Sequence, residues 1–268
     1  MNKLAAYLAV WSAALLPLAA QPSANDILAV SRAALGGKKL AAIQSLTVWG
    51  PDRRGALTTE MALSAVLAGK FLREQTVLSS GGEVQRTAVG EDGVISVGGG
   101  MPGDEGGPAF ASATTEGLNG DNYWAKLSSG AVEGGAETLA ATRKSAFVRS
   151  FALYMLALTL TTPENFPLTY AYGGQVEAPG GMADGIEGKG PNGFLVHLFI
   201  DAKTHLPVML NYLNGTQNVQ MWLKDYKPEE GVLFPHTMTW IANGNLTEEF
   251  QAQKFKVNPK FGPGKFQR

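Results

Sequence analysis

The spacing of polar and apolar positions changes character several times along this chain. In SANDILAVSRAALGG, residues 23 to 37, Ile27, Leu28, Ser31 and Leu35 recur at helical spacing. Ser23 or Asn25 can cap the start and Gly36-Gly37 can end it, so the pattern predicts a first helix. KKLAAIQSLTVWG predicts a short helical turn and then a first strand ending near Trp49. From Thr58 to about Ile95 the period falls to two. Three strand-like runs there are broken at Ala68-Gly69, at Ser80-Gly81-Gly82 and at Asp92-Gly93, which are hairpin signals. Residues 98–122 are glycine-rich and aperiodic. With no GxGxxG opening a helix and no GK[ST], they read as a surface loop and not a phosphate cradle.

One long helix is predicted in ETLAATRKSAFVRSFALYMLALTLTTPENFP, beginning at Glu137 or Thr138 and stopped by Pro163. Its first half is amphipathic, with Arg143, Lys144 and Arg149 along one side. Phe151 to Leu160 are apolar around nearly the whole circumference, so that half must be covered on all sides. Strands fill the remainder, separated by turn residues at Gly173-Gly174, Pro191-Asn192, Asn214-Gly215 and Asn243-Gly244. Within them Phe194, Val196, Leu198 and Ile200 share one face. So do Val219, Met221 and Leu223, with Gln220, Trp222, Lys224 and Tyr226 opposite. A sheet with one apolar face and one apolar helix to cover it must curl around that helix. The expectation is an α+β, mainly β fold: about ten strands in consecutive hairpins, forming an incomplete antiparallel β-barrel with a helical lid. Residues 21–268 read as one domain.

Composition narrows the function classes. The chain has 22 basic and 23 acidic side chains with no cationic stripe, so no nucleic-acid partner is expected. It has no cysteine, which removes disulfides, thiol nucleophiles and thiolate-held metals. At the N-terminus, Lys3, the apolar run Leu4–Leu16 and Ala19-Ala20 predict a signal peptide over residues 1–20, cleaved near Ala20. Export to the periplasm follows as an expectation, with no later segment apolar enough to span a membrane.

The candidate chemistry is sparse. The three histidines, His197, His205 and His236, fall at a strand centre, a turn and a strand start. Of these, His197 is expected to point inward as a hydrogen-bonded core residue. HExxH and GxSxG are both absent, so neither a zinc site nor a serine nucleophile is expected. Glu229-Glu230 and Glu248-Glu249 should each place one carboxylate in solvent. Asp201, Thr204, Asp225, Tyr226, Pro207 and Pro235 read as turn and strand-end chemistry. Phe147, Phe151, Met155 and Leu158, at helical spacing, are core residues first. Together with Phe71, Val196, Met209, Trp222 and Trp240 they are also the candidates to line a ligand cavity.

GFLVHLFIDAKTHLPVMLNYL, WLKDYKPEEGVLFPHTMTW and FKVNPKF resemble the LolA-type outer-membrane lipoprotein-sorting carriers and their periplasmic relatives. The resemblance rests on Asp201 with Thr204, Leu206-Pro207, Asp225-Tyr226, Gly231-Val232, Phe234-Pro235, and Asn258 with Phe261. It implies a half-barrel, closed by helices, enclosing an apolar cavity for acyl chains. Separately, the residues form no catalytic constellation, so neither an enzyme nor a cofactor is expected. Upstream, LAGKFLRE departs from the carriers: Leu67, Ala68 and Gly69 stand where they place an arginine, while Arg73 matches the relatives. The expected function is to carry a lipid acyl chain or other apolar ligand, extending to lipoprotein sorting. The alternative is a structural module with a filled core that binds an envelope protein partner.

Overall fold

The computed structural model describes residues 22–80, 87–89, 95–97, 113–127 and 137–268. The expected signal segment and most of the glycine-rich stretch lie outside these residues. Three α-helices, a short 3-10 helix at Pro191–Gly193 and fifteen strands occur among the described residues. The α-helices are α1 (Ala24–Leu35), α2 (Lys38–Ala41) and α3 (Glu137–Thr159). The first strands are β1 (Ser45–Arg54), β2 (Leu57–Val66), β3 (Lys70–Ser80), β4 (Thr87–Val89), β5 (Ile95–Val97), β6 (Ala113–Asn119) and β7 (Asn122–Leu127). After α3 come β8 (Thr169–Ala178), β9 (Gly181–Lys189), β10 (Leu195–Asp201) and β11 (Pro207–Asn214). The chain closes with β12 (Gln217–Glu229), β13 (Val232–Ala242), β14 (Asn245–Gln251) and β15 (Lys254–Val257).

α1 starts where its capping residues predict. Ser23 Oγ accepts from the Asp26 N–H at 3.2 Å, and the Asp26 carboxylate accepts from the Ser23 N–H at 3.1 Å. Gly36, at φ 143°, ends it. The buried positions Leu28, Ser31 and Leu35 face the sheet, where α1 packs against β13 and β8.

Thirteen strands form one antiparallel sheet, in the order β7-β6-β3-β2-β1-β14-β13-β12-β11-β10-β9-β8, with β15 also paired to β1. The sheet is two meanders joined at β1, where Asp52 opposes Phe250 of β14 and Val48 opposes Phe255 of β15. Gly50 lies at the changeover, so close to the crossing chain that a Cβ there would sit 1.9 Å from the Gln251 carbonyl oxygen. The free edges are β7 and β8, and α3 is the element that connects them. Its path takes it across the inward face of an unclosed sheet. Phe151 to Leu160 are all buried there, as a segment without a polar face requires. The architecture is an incomplete antiparallel barrel with a helical lid.

Several details differ from the sequence-based expectation. The first strand runs to Arg54 and does not end near Trp49. The sheet has thirteen strands in place of about ten. Part of the difference is β6 and β7: β6 falls inside the expected surface loop, because ATTEGLN offers too few bulky residues to show an alternation. LTEEFQAQKFKV is two strands, because the chain passes from β14 to β15 through Ala252-Gln253. Gly173-Gly174 is not a turn but a bulge within β8, where the register shifts between Tyr172 and Gly174; the turn follows at Pro179-Gly180.

Candidate functional site

The inward face of the sheet, together with α3, forms the candidate site. Strand alternation sends Phe71 of β3 toward the helix. Its ring stacks on Phe151 with centroids 4.6 Å apart and meets Phe147 at 5.0 Å. Tyr123 of β7 contacts Phe147 at 5.6 Å, and Tyr154 meets Trp240 of β13 edge-on at 5.7 Å. Phe71, Phe147, Phe151, Met155, Leu158, Val196 and Trp240, seven of the nine nominated cavity residues, join one buried apolar cluster.

Met209 and Trp222 do not. They are cross-strand partners, in antiphase with the core pair Leu210 and Met221, so both side chains lie on the opposite face of the sheet. The Trp222 indole N–H donates to Gln220 Oε1 at 3.1 Å, and the Lys224 ammonium sits 4.9 Å above its ring. Both residues leave the cavity set. His197 is also corrected. It alternates with Val196 and Leu198, so its half-exposed ring faces outward, 3.6 Å from Glu187. The buried histidine is His236, packed on Phe255 at 5.0 Å, and burial holds its imidazole below the ordinary value.

The motif residues behind the resemblance serve turns at Asp201 and Asn258, but Asp225-Tyr226 does not end a strand. It lies inside β12, where the pairing with β13 skips Asp225 at φ 56°, and Phe234-Pro235 lies inside β13. The Asp201 carboxylate accepts from the N–H groups of Lys203 and Thr204 at 3.0 and 2.6 Å, and these bonds, the Thr204 one foremost, hold its pKa low. The Tyr226 hydroxyl donates to the Pro207 carbonyl at 2.8 Å. Asn258 Oδ1 accepts from the Gln44 and Ser45 N–H groups, while its amide donates to the Ala42 carbonyl at 3.0 Å.

The inward face is not wholly apolar. Asp52 and Arg54 continue the phase of Leu46 and Val48, so β1 turns both charges toward the interior. Arg54 Nη2 donates to Glu248 Oε1 of β14 at 2.9 Å, and Arg54 Nε lies 3.2 Å from Asp52 Oδ2. The Gln75 amide donates to the same Asp52 oxygen at 3.2 Å. Beside this group Arg73 pairs with Glu116, which also accepts from the Tyr123 hydroxyl at 2.9 Å. Tyr154 of α3 lies in the field of both arginines, Asp52 and Glu248. Burial, reinforced by Glu248, pushes the Asp52 carboxyl up to about 7. The expected division of Glu248 and Glu249 takes this form: Glu248 turns in to Arg54, and Glu249 meets the exposed Arg53 at 3.5 Å.

Sequence reasoning missed Asp52, Arg54, Thr59, Glu116 and Glu248 as interior residues. The signal was present in LTVWGPDRR, where positions 52 and 54 keep the phase of 46 and 48. Charged residues beside a Gly-bearing turn nevertheless look like solvated strand ends.

No family model matches the chain, and no curated protein sequence does. Solved structures share its fold. One, described as an outer membrane lipoprotein-sorting protein domain from Vibrio parahaemolyticus, aligns with a TM-score of 0.51 at 11% identity, over 90% of this chain and 94% of that one. A LolA superfamily protein from Nitrosomonas europaea aligns with a TM-score of 0.50 at 7% identity, over 92% and 99%. The chain has a LolA-like fold, as its turn motifs implied.

Proposed function

We propose that this protein is an exported, periplasmic carrier that holds an acyl chain or comparable apolar ligand between α3 and the inward face of the sheet, without catalysis. The observation that carries this reading is the position of α3. A ten-residue apolar segment, Phe151 to Leu160, is buried inside a sheet whose edges β7 and β8 are not paired with each other. A lid of that kind can exchange its contacts for those of a ligand without breaking strand ladders. Apolar burial is worth about 25 cal/mol per Å² on either partner, so ligand contacts can offset those α3 gives up. Lipoprotein sorting, named in the description of one structural neighbour, is the finer form of this proposal.

The close stack of Phe71 on Phe151 favours a second reading, a filled module that pairs with an envelope protein. Organic extraction and native mass spectrometry of the purified protein separate the two. The carrier should show co-purifying acyl species and should brighten an apolar fluorophore such as N-phenyl-1-naphthylamine. Protein that is empty and takes up no fluorophore overturns the carrier reading in favour of the module.

A further inference from the structure

Polar hydrogen-bonding capacity on the inward face goes unused within the protein. Arg54 Nε, Arg73 Nε and Thr59 Oγ1 are buried and have no hydrogen-bond partner. Arg54 Nε is near Asp52 Oδ2, at 3.2 Å, yet is not hydrogen-bonded to it. The Arg54 side chain is 9% exposed and Thr59 is 6% exposed, so bulk solvent does not satisfy these groups. They are also near one another. Thr59 is the cross-strand partner of Asp52, Asp52 contacts Arg54, and Arg54 and Arg73 are electrostatic neighbours. A buried donor left without an acceptor costs about 1–3 kcal/mol, more when it is charged. Asp52 Oδ1 is also buried without a partner, so the unmet groups on the face assigned to the ligand are three donors and one carboxyl oxygen, and the excess of donors points to a missing acceptor.

The charge balance says what kind of acceptor. Three carboxyl groups, Asp52, Glu248 and Glu116, face two guanidiniums, so both positive charges are met even with Asp52 protonated. The guanidiniums of Arg54 and Arg73 are then matched by Glu248 and Glu116. A carboxylate or phosphate would add an unmatched negative charge beside those two glutamates, and an ammonium would meet two arginines. A pure hydrocarbon would leave all three donors unsatisfied. A neutral carbonyl oxygen accepts hydrogen bonds and brings no charge.

We propose that Arg54, Arg73 and Thr59 receive the carbonyl oxygen of an ester or amide at the head of an acyl chain. The carried ligand is thus a neutral acyl ester or acyl amide, not a hydrocarbon or a free fatty acid. This inference rests on the carrier reading above and adds the polar end of its ligand.

The test is displacement of N-phenyl-1-naphthylamine from the full mature chain at pH 7 by methyl laurate, N-methyl dodecanamide, laurate and tridecane. The ester and the amide should displace it at about tenfold lower concentration than tridecane or laurate. In Thr59→Val, which keeps the side-chain shape, the ratio of ester to hydrocarbon affinity should fall about fivefold. Arg54→Met should lower the ratio further; should it fail to fold by circular dichroism, Thr59→Val decides the matter. Equal displacement by methyl laurate and tridecane, or an unchanged ratio in Thr59→Val, overturns the carbonyl site and leaves the carrier standing. Strongest displacement by laurate overturns it in favour of an anion site. Failure of the protein to take up the fluorophore at all overturns both.

Discussion

At the residue scale, Asp52 has the largest stake in pH. Burial and Glu248 raise its pKa from 3.8 to about 7, so between those values the folded protein binds more protons than the unfolded chain. The Asp52 contribution is fully present below about pH 4, declines as pH rises toward 7, and changes little above that. Asp52→Asn keeps the neutral form at every pH. Its stability relative to the wild type, from urea denaturation at pH 4 to 8, should therefore improve with rising pH by roughly 2–4 kcal/mol. A constant difference across that range would mean that Asp52 is ionised at all of these pH values. Because both proteins keep His236, its opposite dependence cancels in the comparison. Gly50 is the steric counterpart. With the Gln251 carbonyl in the place of a Cβ, Gly50→Ala must push β1 away from the crossing between β14 and β15. A loss of about 3 kcal/mol or more is expected by thermal or urea denaturation.

Among the elements, α3 decides whether anything can be bound. Its C-terminal end is held to α1 by the Arg32 guanidinium, which donates to the Leu160 carbonyl at 2.8 Å, and Leu160 itself sits at φ 52°. Removing that tie with Arg32→Ala should cost about 1–2 kcal/mol of stability. It should also speed fluorophore uptake several-fold in stopped-flow measurements, because the lid then opens from a weaker contact. Phe151→Asp places a carboxylate at the Phe71 stack and should abolish uptake, with circular dichroism checking that the sheet persists. Elements were legible in proportion to their local signal. The Ser23 cap, the Gly36 stop and the encircling apolar run of α3 each state their structure within a few residues. β6 and β7 do not. Their sequences, ATTEGLN and NYWAKL, become strands because Phe71 and Leu72 of β3 offer a ladder to Leu118 and Gly117.

For the whole molecule, the two meanders hold together through β1, which pairs with strands near the far end of the chain. Asn258 secures that closure by bonding to Gln44, Ser45 and Ala42, and its own φ of 52° suits asparagine better than most residues. Asn258→Ala should cost about 2–3 kcal/mol. Hydrogen exchange should then show β1 and β15 losing protection together; loss in β15 alone would mean that the tie is local.

Local chemistry was enough to determine the apolar phase of strands such as β10, most of the turns and the fact that α3 must be enclosed, since each follows from side-chain polarity at fixed backbone periods. It misplaced His197, Met209 and Trp222, whose polarity or size does not say which face they take. Chain order alone left open which strands would become neighbours and what the inward charges would meet. A charge in phase with a core face looks the same in sequence whether it ends in water or against a partner. Arg54 found Glu248, 194 residues away, only when β1 and β14 became neighbours. The interior ionic group is thus a product of long-range strand pairing.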